Sequence, residues 1–181
     1  MSSELDGTTA VTSIVATDRA FAAIRADGSV VTWGDSSYGG DSSSVSSELD
    51  GTTAVTSITA ASGLFGGAFA AIRADGSVVT WGNSTSGGDS SAVSSQLDGT
   101  TAVTTIYATG SAFAAFRTDG SVVTWGDSSY GKYLGYLKDF AETSTSYTGE
   151  SNFCGKDFVG RVFCWGSSTT SIDPQLVGRQ F

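Results

Sequence analysis

The stretch Arg25-Ala-Asp-Gly-Ser-Val-Val-Thr-Trp-Gly34 occurs a second time, unchanged, at Arg73–Gly82. A third copy at Arg117–Gly126 differs at one position, where Thr118 replaces the alanine. Near-identity of this kind means that one supersecondary unit is written several times over, so the repeat sets the architecture. Repeat arrays mostly serve as binding or structural scaffolds, and no stretch of this chain has the pattern of an active site.

The tryptophans mark the period of the repeat, because each of the four precedes a glycine: Trp33, Trp81, Trp125 and Trp165. Their spacings are 48, 44 and 40 residues. The longest spacing contains a four-residue insertion, where Ile58–Ala68 replaces the shorter Ile14–Ala20. We therefore divide a single domain into units at residues 2–45, 46–93, 94–131 and 132–166, followed by a C-terminal cap or tail at 167–181.

Within one unit the apolar pattern has a period of two, which is typical of strands. The first unit has three predicted strands, at Ala10–Thr17, Phe21–Arg25 and Ser29–Trp33. Asp27-Gly28 is the predicted hairpin turn between the last two, because glycine accepts the positive φ of a tight turn. A fourth strand is considered around Ser42–Val45. The one weak helical pattern, Leu134–Glu142, fits a short helix or a loop equally well.

A unit of 40–48 residues with three or four strands has the size of one propeller blade. The coils of a β-solenoid, the alternative, are usually about half as long. We therefore predict an all-β chain of about four propeller-type blades that form a partial or small propeller. A blade cannot bury its own faces, so the recurring aromatic residues are predicted to fill the core between blades: Phe21, Phe69, Phe113, Trp33, Trp81, Trp125 and Trp165. An aromatic binding surface is the alternative role for them.

The segment Phe21–Gly40 resembles the repeat of the regulator of chromosome condensation family. The matching features are an acidic-glycine turn, a strand that ends in Trp-Gly, and a closing loop: Asp27-Gly28, Trp33-Gly34, Asp35 and Tyr38-Gly39-Gly40. The resemblance covers most of residues 1–131 and returns at 151–166. It implies a β-propeller fold and protein–protein recognition through loops at one end of the blades. Family members typically have seven blades, whereas this chain has room for four units.

Two features depart from that family's pattern. The chain has no histidine, and Gly40-Asp41 replaces the Gln-Leu of the usual closing loop. The fourth unit also diverges from the other three, since Cys154 and Cys164 stand where Ala114 and Thr124 stand in the third. In this it is similar to bacterial, extracellular members of the family, which have a cysteine in each hairpin strand.

The two cysteines are predicted to form a disulfide, which depends on the register of their hairpin. A turn centred on Val159 would oppose Cys154 and Cys164 directly, within bridging distance. A turn centred between Val159 and Gly160 would shift them out of register, and two free buried thiols are then the alternative. A disulfide would imply an oxidising compartment. Two cysteines without histidine supply too few ligands for zinc, so no metal and no cofactor are predicted.

The charge distribution argues against binding to nucleic acid. The formal net charge is −9, and residues 1–131 carry thirteen acidic residues against four arginines and no lysine. Phosphate recognition requires clustered Lys and Arg, so the chromatin role of the family's namesake is not expected here. A basic partner, a cation-rich medium or plain solubility agrees better with this composition.

The location is expected to be extracellular, at the cell surface or in a virion. No signal peptide is visible at the acidic N-terminus, and no segment has the length of apolar residues that spans a membrane. An extracellular protein with this sequence would have lost its signal, belong to a longer precursor, or bypass secretion.

Two glycine-rich segments contain oxygen-bearing side chains of the kind that bind Ca²⁺. Asp35–Ser43 and Asn83–Ser91 place Asx residues beside a glycine pair, which suggests oxygen ligands for Ca²⁺. The spacing matches no EF-hand loop, and Asx and glycine in such loops are usually turn formers, so Ca²⁺ is not expected. Without histidine there is no Ser-His-Asp triad, and we predict that the chain is not an enzyme.

The insertion supplies the best candidate for a partner contact. Ser62–Gly67 lengthens one loop and places Leu64 and Phe65 in it, either exposed to a partner or plugging a gap between blades. We predict a non-enzymatic repeat scaffold that binds another protein, or copies of itself, through its blade loops. The alternative is a structural component of a cell-surface array or of a virus or phage particle.

Overall fold

A computed structural model describes Leu5 and residues 7–131, 152–156 and 162–166; in the last two segments the described side chains are Phe153, Cys154 and Trp165. These residues contain eleven strands: β1 Val11–Ala16, β2 Ala20–Arg25, β3 Val30–Gly34, β4 Val55–Gly63, β5 Gly66–Arg73, β6 Val78–Gly82, β7 Val103–Ala108, β8 Ala112–Arg117, β9 Val122–Gly126, β10 Asn152–Lys156 and β11 Val162–Gly166. The weak helical pattern at Leu134–Glu142 and the cap at 167–181 lie outside the described residues.

The strands form three three-stranded antiparallel sheets and a two-stranded one. We call them blade 1 (β1–β3), blade 2 (β4–β6), blade 3 (β7–β9) and the terminal hairpin (β10–β11). Each of the eleven described strands pairs only with its neighbours in sequence, so the three-stranded sheets are meanders. The predicted all-β, blade-by-blade architecture is confirmed.

The fourth strand considered around Ser42–Val45 is wrong, because a 3₁₀ helix, Ser43–Glu48, occupies that stretch. The Asp41 carboxylate accepts a hydrogen bond from the Ser43 N–H at 2.9 Å and turns the chain there. Blade 2 is followed by the equivalent 3₁₀ helix Ser91–Gln96. Shorter 3₁₀ helices close the Trp-Gly loops, at Ser36–Tyr38, Ser84–Ser86 and Ser128–Tyr130.

The predicted Asp-Gly turn is held by a side-chain relay. In blade 1 the Arg25 Nε–H donates to the Ser29 hydroxyl at 2.7 Å, and that hydroxyl donates to the Asp27 carboxylate. Gly28 has a φ of 80°, and a Cβ there would lie 2.3 Å from the Cβ of Ala54 in the next unit. The glycine therefore serves both the turn and the close approach of the following repeat.

Each repeat begins by binding the turn of the blade before it. The Leu49 carbonyl accepts a hydrogen bond from the Val30 N–H, and the Val55 N–H donates to the Gly28 carbonyl, both at 2.9 Å. Blade 2 repeats the pattern with the Val78 N–H and the Leu97 carbonyl, also at 2.9 Å. The segment that links two blades is thus part of the sheet edge rather than a free connection.

The core between blades is a stacked Phe–Trp pair covered by a glycine. Phe69 stacks on Trp81 at 5.3 Å between ring centroids, and both are buried. Gly39 of the preceding blade, with a φ of 91°, lies so close to this pair that a Cβ would be 2.6 Å from the Phe69 ring. The Trp81 indole N–H donates to the Gly39 carbonyl at 3.0 Å.

The same contact recurs along the chain. Phe113 stacks on Trp125, whose indole N–H donates to the Gly87 carbonyl at 2.9 Å. At the next junction a Cβ on Gly131 would lie 2.6 Å from the ring of Phe153, which stacks on Trp165. Glycine is required at these positions both by the left-handed backbone and by the aromatic ring against it.

Phe21 departs from the prediction that it belongs to the inter-blade core. Its ring stacks on Trp33 at 5.3 Å as in the other blades, but Phe21 is 42% exposed and Trp33 is only partly buried. The physical reason is that, among the described residues, no glycine loop precedes blade 1 to cover the pair.

We predict that Gly87→Ala destabilises the protein by about 2–4 kcal/mol, because the methyl group meets the Phe113 ring and the residue keeps a φ of 93°. Gly7→Ala is the matched control: its φ is 87°, but nothing lies within 4 Å of the added carbon. Urea unfolding should show that Gly7→Ala lowers the free energy of unfolding by only about 1 kcal/mol, the cost of a left-handed backbone with a Cβ. The loss for Gly87→Ala should be larger. Equal losses would mean that the ring contact adds nothing.

We also predict that Ser29→Ala raises the pKa of Asp27. The pKa of this carboxyl lies below its ordinary value of 3.8, first because the Ser29 hydroxyl and then because the Ser29 N–H donates to it, with a smaller contribution from the charge of Arg25. Because folding lowers this pKa, the stabilisation is present above pH 3.8 and is lost as the pH falls through the folded-state value.

A carbon-detected NMR titration measures this pKa. Asp41 serves as an internal control, because its lowered pKa depends on Ser43 and should not move in the Ser29→Ala variant. An unchanged Asp27 pKa in the variant would show that the hydroxyl does not hold the carboxylate.

Candidate functional site

The insertion extends one hairpin beyond the others. β4 and β5 pair as far as Ser62 with Gly67 and Gly63 with Gly66, whereas the matching β1–β2 ladder stops at Ala16 with Phe21. Only Leu64 and Phe65 remain between the strands as the tip, and they are 83% and 84% exposed. Among the described residues they are the most exposed of the large apolar side chains, and they are adjacent at the end of a paired hairpin.

Blade 1 holds the base of this hairpin on one side. The Asp18 N–H, in the turn between β1 and β2, donates to the Ser62 hydroxyl at 2.8 Å. Gly67 lies against Thr17, where a Cβ would be 2.8 Å from the threonine methyl group. The Thr17 hydroxyl also donates to the Tyr38 carbonyl at 2.9 Å, which ties this turn to the Trp-Gly loop of blade 1.

The Trp-Gly loop of blade 2 binds the backbone of the tip through two side chains. The Asn83 side-chain amide donates to the Phe65 carbonyl at 3.3 Å. The buried Ser86 hydroxyl donates to the Gly66 carbonyl at 3.1 Å. A Cβ on Gly66 would lie 2.4 Å from the Asn83 amide nitrogen, so only glycine permits this approach.

Blade 3 supports the opposite strand of the hairpin. A Cβ on Gly63 would lie 2.2 Å from the Ser111 hydroxyl and 2.8 Å from the Gly110 carbonyl. Lower on β4, the Thr59 hydroxyl donates to the Ile106 carbonyl at 3.2 Å. The hairpin is therefore fixed between blade 1 and blade 3, and the apolar tip is presented on a supported backbone.

The groups around the tip carry mixed charge. The blade 1 turn has Asp18 beside Arg19, and the Arg19 guanidinium lies over the Tyr38 ring, 5.1 Å from its centroid. Asp35 follows in the adjacent loop, and its carboxylate accepts from the Ser37 N–H at 2.8 Å. Two aspartates and one arginine thus lie in the loops beside the apolar pair.

The oxygens considered as Ca²⁺ ligands are engaged in turns. The Asp41 and Asp89 carboxylates accept from the N–H two residues onward at 2.9 Å, and the Asn83 side chain accepts from the Thr85 N–H at the same distance. These hydrogen bonds lower the pKa of Asp41 and of Asp89. No group of three or more potential metal ligands occurs within the described part of the chain.

β10 and β11 oppose Cys154 and Cys164 directly, the register that a turn centred on Val159 produces. No helix in the described ranges has the length and apolar character needed to cross a bilayer.

The supporting groups Asp18, Asn83 and Ser86 were not predicted from the sequence. Only the glycines around Leu64 and Phe65 indicate close packing at this hairpin.

Comparison with known proteins agrees with this geometry. A sequence model of the regulator of chromosome condensation (RCC1) repeat matches residues 11–39, which is one blade with its Trp-Gly loop. No curated protein matches the chain.

Solved structures share the fold at low sequence identity. The ectodomain of the receptor kinase CR4 from Physcomitrella patens is 23% identical with a TM-score of 0.59, over 92% of this chain and 44% of that one. Human WBSCR16 is 18% identical with a TM-score of 0.54, over 88% and 48%. Prp20p from Saccharomyces cerevisiae is 15% identical with a TM-score of 0.55, over 91% and 45%.

The chain spans about half the length of these proteins, since it covers 44–48% of each. Its blades therefore correspond to part of a β-propeller, as the blade count predicted. In its repeat and in its fold, this chain resembles the regulator of chromosome condensation (RCC1) repeat proteins.

Proposed function

We propose that this protein is a non-enzymatic repeat scaffold that binds another protein through the tip of the β4–β5 hairpin. The observation that carries the proposal is the exposure of Leu64 and Phe65, 83% and 84%, on a hairpin held by its neighbours. Burying one such side chain contributes about 1.5–3 kcal/mol, so two of them are a sufficient centre for an interface.

The backbone supports add to the affinity that such a tip provides. A flexible loop loses conformational entropy when a partner orders it, whereas a tip fixed by Asp18, Asn83 and Ser86 does not. Exposed apolar groups that served only to fill a gap between blades would be covered, and these are not.

Binding of proteins is described for a structural neighbour. Prp20p is reported with its binding properties toward Gsp1p and histones. At 15% identity this shows a common fold, and the acidic, lysine-poor repeats of the present chain require their own partner. An apolar pocket with neutral or basic surroundings has the chemistry that fits the tip.

The alternative role, a structural component of a surface array or particle, is separated from this one by oligomeric state. A free binding module stays monomeric in light scattering over a wide concentration range, whereas an array component forms ordered multimers.

We predict that Phe65→Ser weakens binding of peptides selected on the wild-type protein by about tenfold or more. The probe is a random peptide library displayed on phage and panned on the wild-type chain, with affinities then measured by calorimetry. Leu64→Ser should behave similarly, and circular dichroism should show an unchanged fold, because neither side chain packs against the blades.

Two controls isolate the tip. Thr118→Ala alters an exposed residue in the turn of blade 3, outside the hairpin, and should leave the affinity unchanged. Replacement of Ile58–Ala68 by the sequence of Ile14–Ala20 removes the insertion and should abolish binding. Selected peptides that bind this replacement as tightly as wild type, or a library that yields no binders, would refute the proposed function.

We further propose that Cys154 and Cys164 are joined by a disulfide and that the protein works in an oxidising, extracellular location. Their direct opposition across β10 and β11 supports this, and an ectodomain is among the structural neighbours. Intact mass under non-reducing conditions should be about 2 Da lower than after reduction with dithiothreitol. Two alkylatable thiols in the native, unreduced protein would contradict the pairing.

A further inference from the structure

Four apolar positions are buried in blades 2 and 3 and open in blade 1. In the second repeat they are 0–9% exposed and in the third 0–6%, whereas in the first they are 38–58% exposed. The first-repeat members are Leu5, Val11, Ile14 and Phe21, and their counterparts are Leu49, Val55, Ile58 and Phe69, then Leu97, Val103, Ile106 and Phe113. The residue types are identical at every position. The exposure therefore differs because the parts of the chain that lie against each blade differ.

What covers these positions in the later blades is known from the same chain. The Gly39 loop covers Phe69 and accepts the Trp81 hydrogen bond. The Asp27–Ser29 turn receives the leading segment around Leu49. A covering blade therefore brings two elements, a Trp-Gly loop with glycine six residues after the tryptophan and an Asp-Gly-Ser turn.

A cleft beside the third strand is also larger in blade 1 than in blade 2. Val30, Val31 and Thr32 line a cleft of about 520 Å³ in blade 1. The equivalent cleft in blade 2 has about 270 Å³ and is lined in addition by Val45 and Glu48, which belong to the 3₁₀ helix Ser43–Glu48 between blades 1 and 2. That helix is a third element that a covering blade would supply.

The fourth repeat of this chain does not carry the required elements. Counting from the tryptophan, Ser171 stands where Gly39, Gly87 and Gly131 stand in the other repeats. Val159 and Arg161 replace the aspartate and serine of the turn. The three glycine loops that the chain does have lie against Phe69, Phe113 and Phe153 within it.

We propose that the open face of blade 1, formed by Val11, Ile14, Phe21 and Trp33, is a docking surface for one further blade of this repeat type. That blade ends in Trp-Gly-X-X-X-X-Gly and carries an Asp-Gly-Ser turn. Its glycine seats on Phe21 with the carbonyl toward the Trp33 indole, and its 3₁₀ helix enters the cleft beside β3. A second copy of this chain is not the occupant, because its fourth repeat lacks the glycine and the turn.

The test adds such a blade to the full chain, by fusing a second copy of residues 2–45 directly before Ser2. We expect the unfolding equilibrium constant in urea titrations to fall by about tenfold or more, since several apolar side chains become buried. In the fusion, Phe21→Ser in the original blade should remove most of this gain. In the unfused chain the same substitution should lower stability less, because Phe21 there has only its stacking on Trp33 and its contacts within blade 1 to lose.

The matched control carries Gly39→Ala only in the added copy. It has the same length and composition, but its methyl group would meet the Phe21 ring as it would meet Phe69 within the chain. Loss of the gain in this control supports the proposal. A gain that survives it, or no gain in the fusion, would overturn the proposed docking chemistry.

Sedimentation of the wild-type chain over a concentration series tests whether a second copy of this chain binds the open face of blade 1. We expect a monomer with Trp33 accessible to a fluorescence quencher. Self-association that shields Trp33 and is abolished by Phe21→Ser would overturn the exclusion of a second copy. Neither result depends on Leu64 and Phe65, so this proposal and the one for the hairpin tip fail or succeed separately.

Discussion

The hydrogen bond from a tryptophan indole to the carbonyl of a glycine in the preceding blade is the contact on which the array depends. It joins residues about forty positions apart, Trp81 with Gly39 and Trp125 with Gly87, and so connects sheets that share no strand. The glycine is in the left-handed conformation and touches an aromatic ring, which leaves no room for a side chain. One polar and one apolar interaction thus meet at a single residue, and both fail together if it is replaced.

This contact has a direction. A blade gives its glycine loop and Asp-Gly-Ser turn to the next blade and offers its Phe–Trp pair to the one before. The stability of such an array is approximately a sum of blade terms and nearest-neighbour terms. Blade 1 and the fourth repeat therefore differ: blade 1 keeps the residues that receive a neighbour, and the fourth repeat has a sequence that lacks the residues for covering one.

The sequence was sufficient to predict the blades because their signals are local. Alternating apolar residues, the Asp-Gly turn and the Trp-Gly spacing all lie within one unit and specify strands without reference to the rest of the chain. The 3₁₀ helix at Ser43–Glu48 escaped prediction because the Asp41 side chain turns a stretch whose composition also suits a strand. The exposure of Phe21 escaped it too, since burial depends on which neighbour is present and the residue type is the same in every blade.

The hairpin tip was found from sequence only as an insertion with two apolar residues. Its supports, Asp18, Asn83 and Ser86, belong to other loops, and nothing in their local sequence indicates that they meet the hairpin. Tertiary packing around the glycines brings them together.

The longer hairpin also distinguishes blade 2 from its near-identical neighbours. Since the repeats share most of their sequence, the Gly39 loop would fit the aromatic pair of blade 3 as well as that of blade 2, and a folding chain would risk skipping a blade or exchanging one with another molecule. The bond between Asp18 and Ser62 exists only when blade 2 follows blade 1, and the Gly63 contact only when blade 3 comes next. The insertion thereby gives blade 2 contacts that another order of the blades would not reproduce.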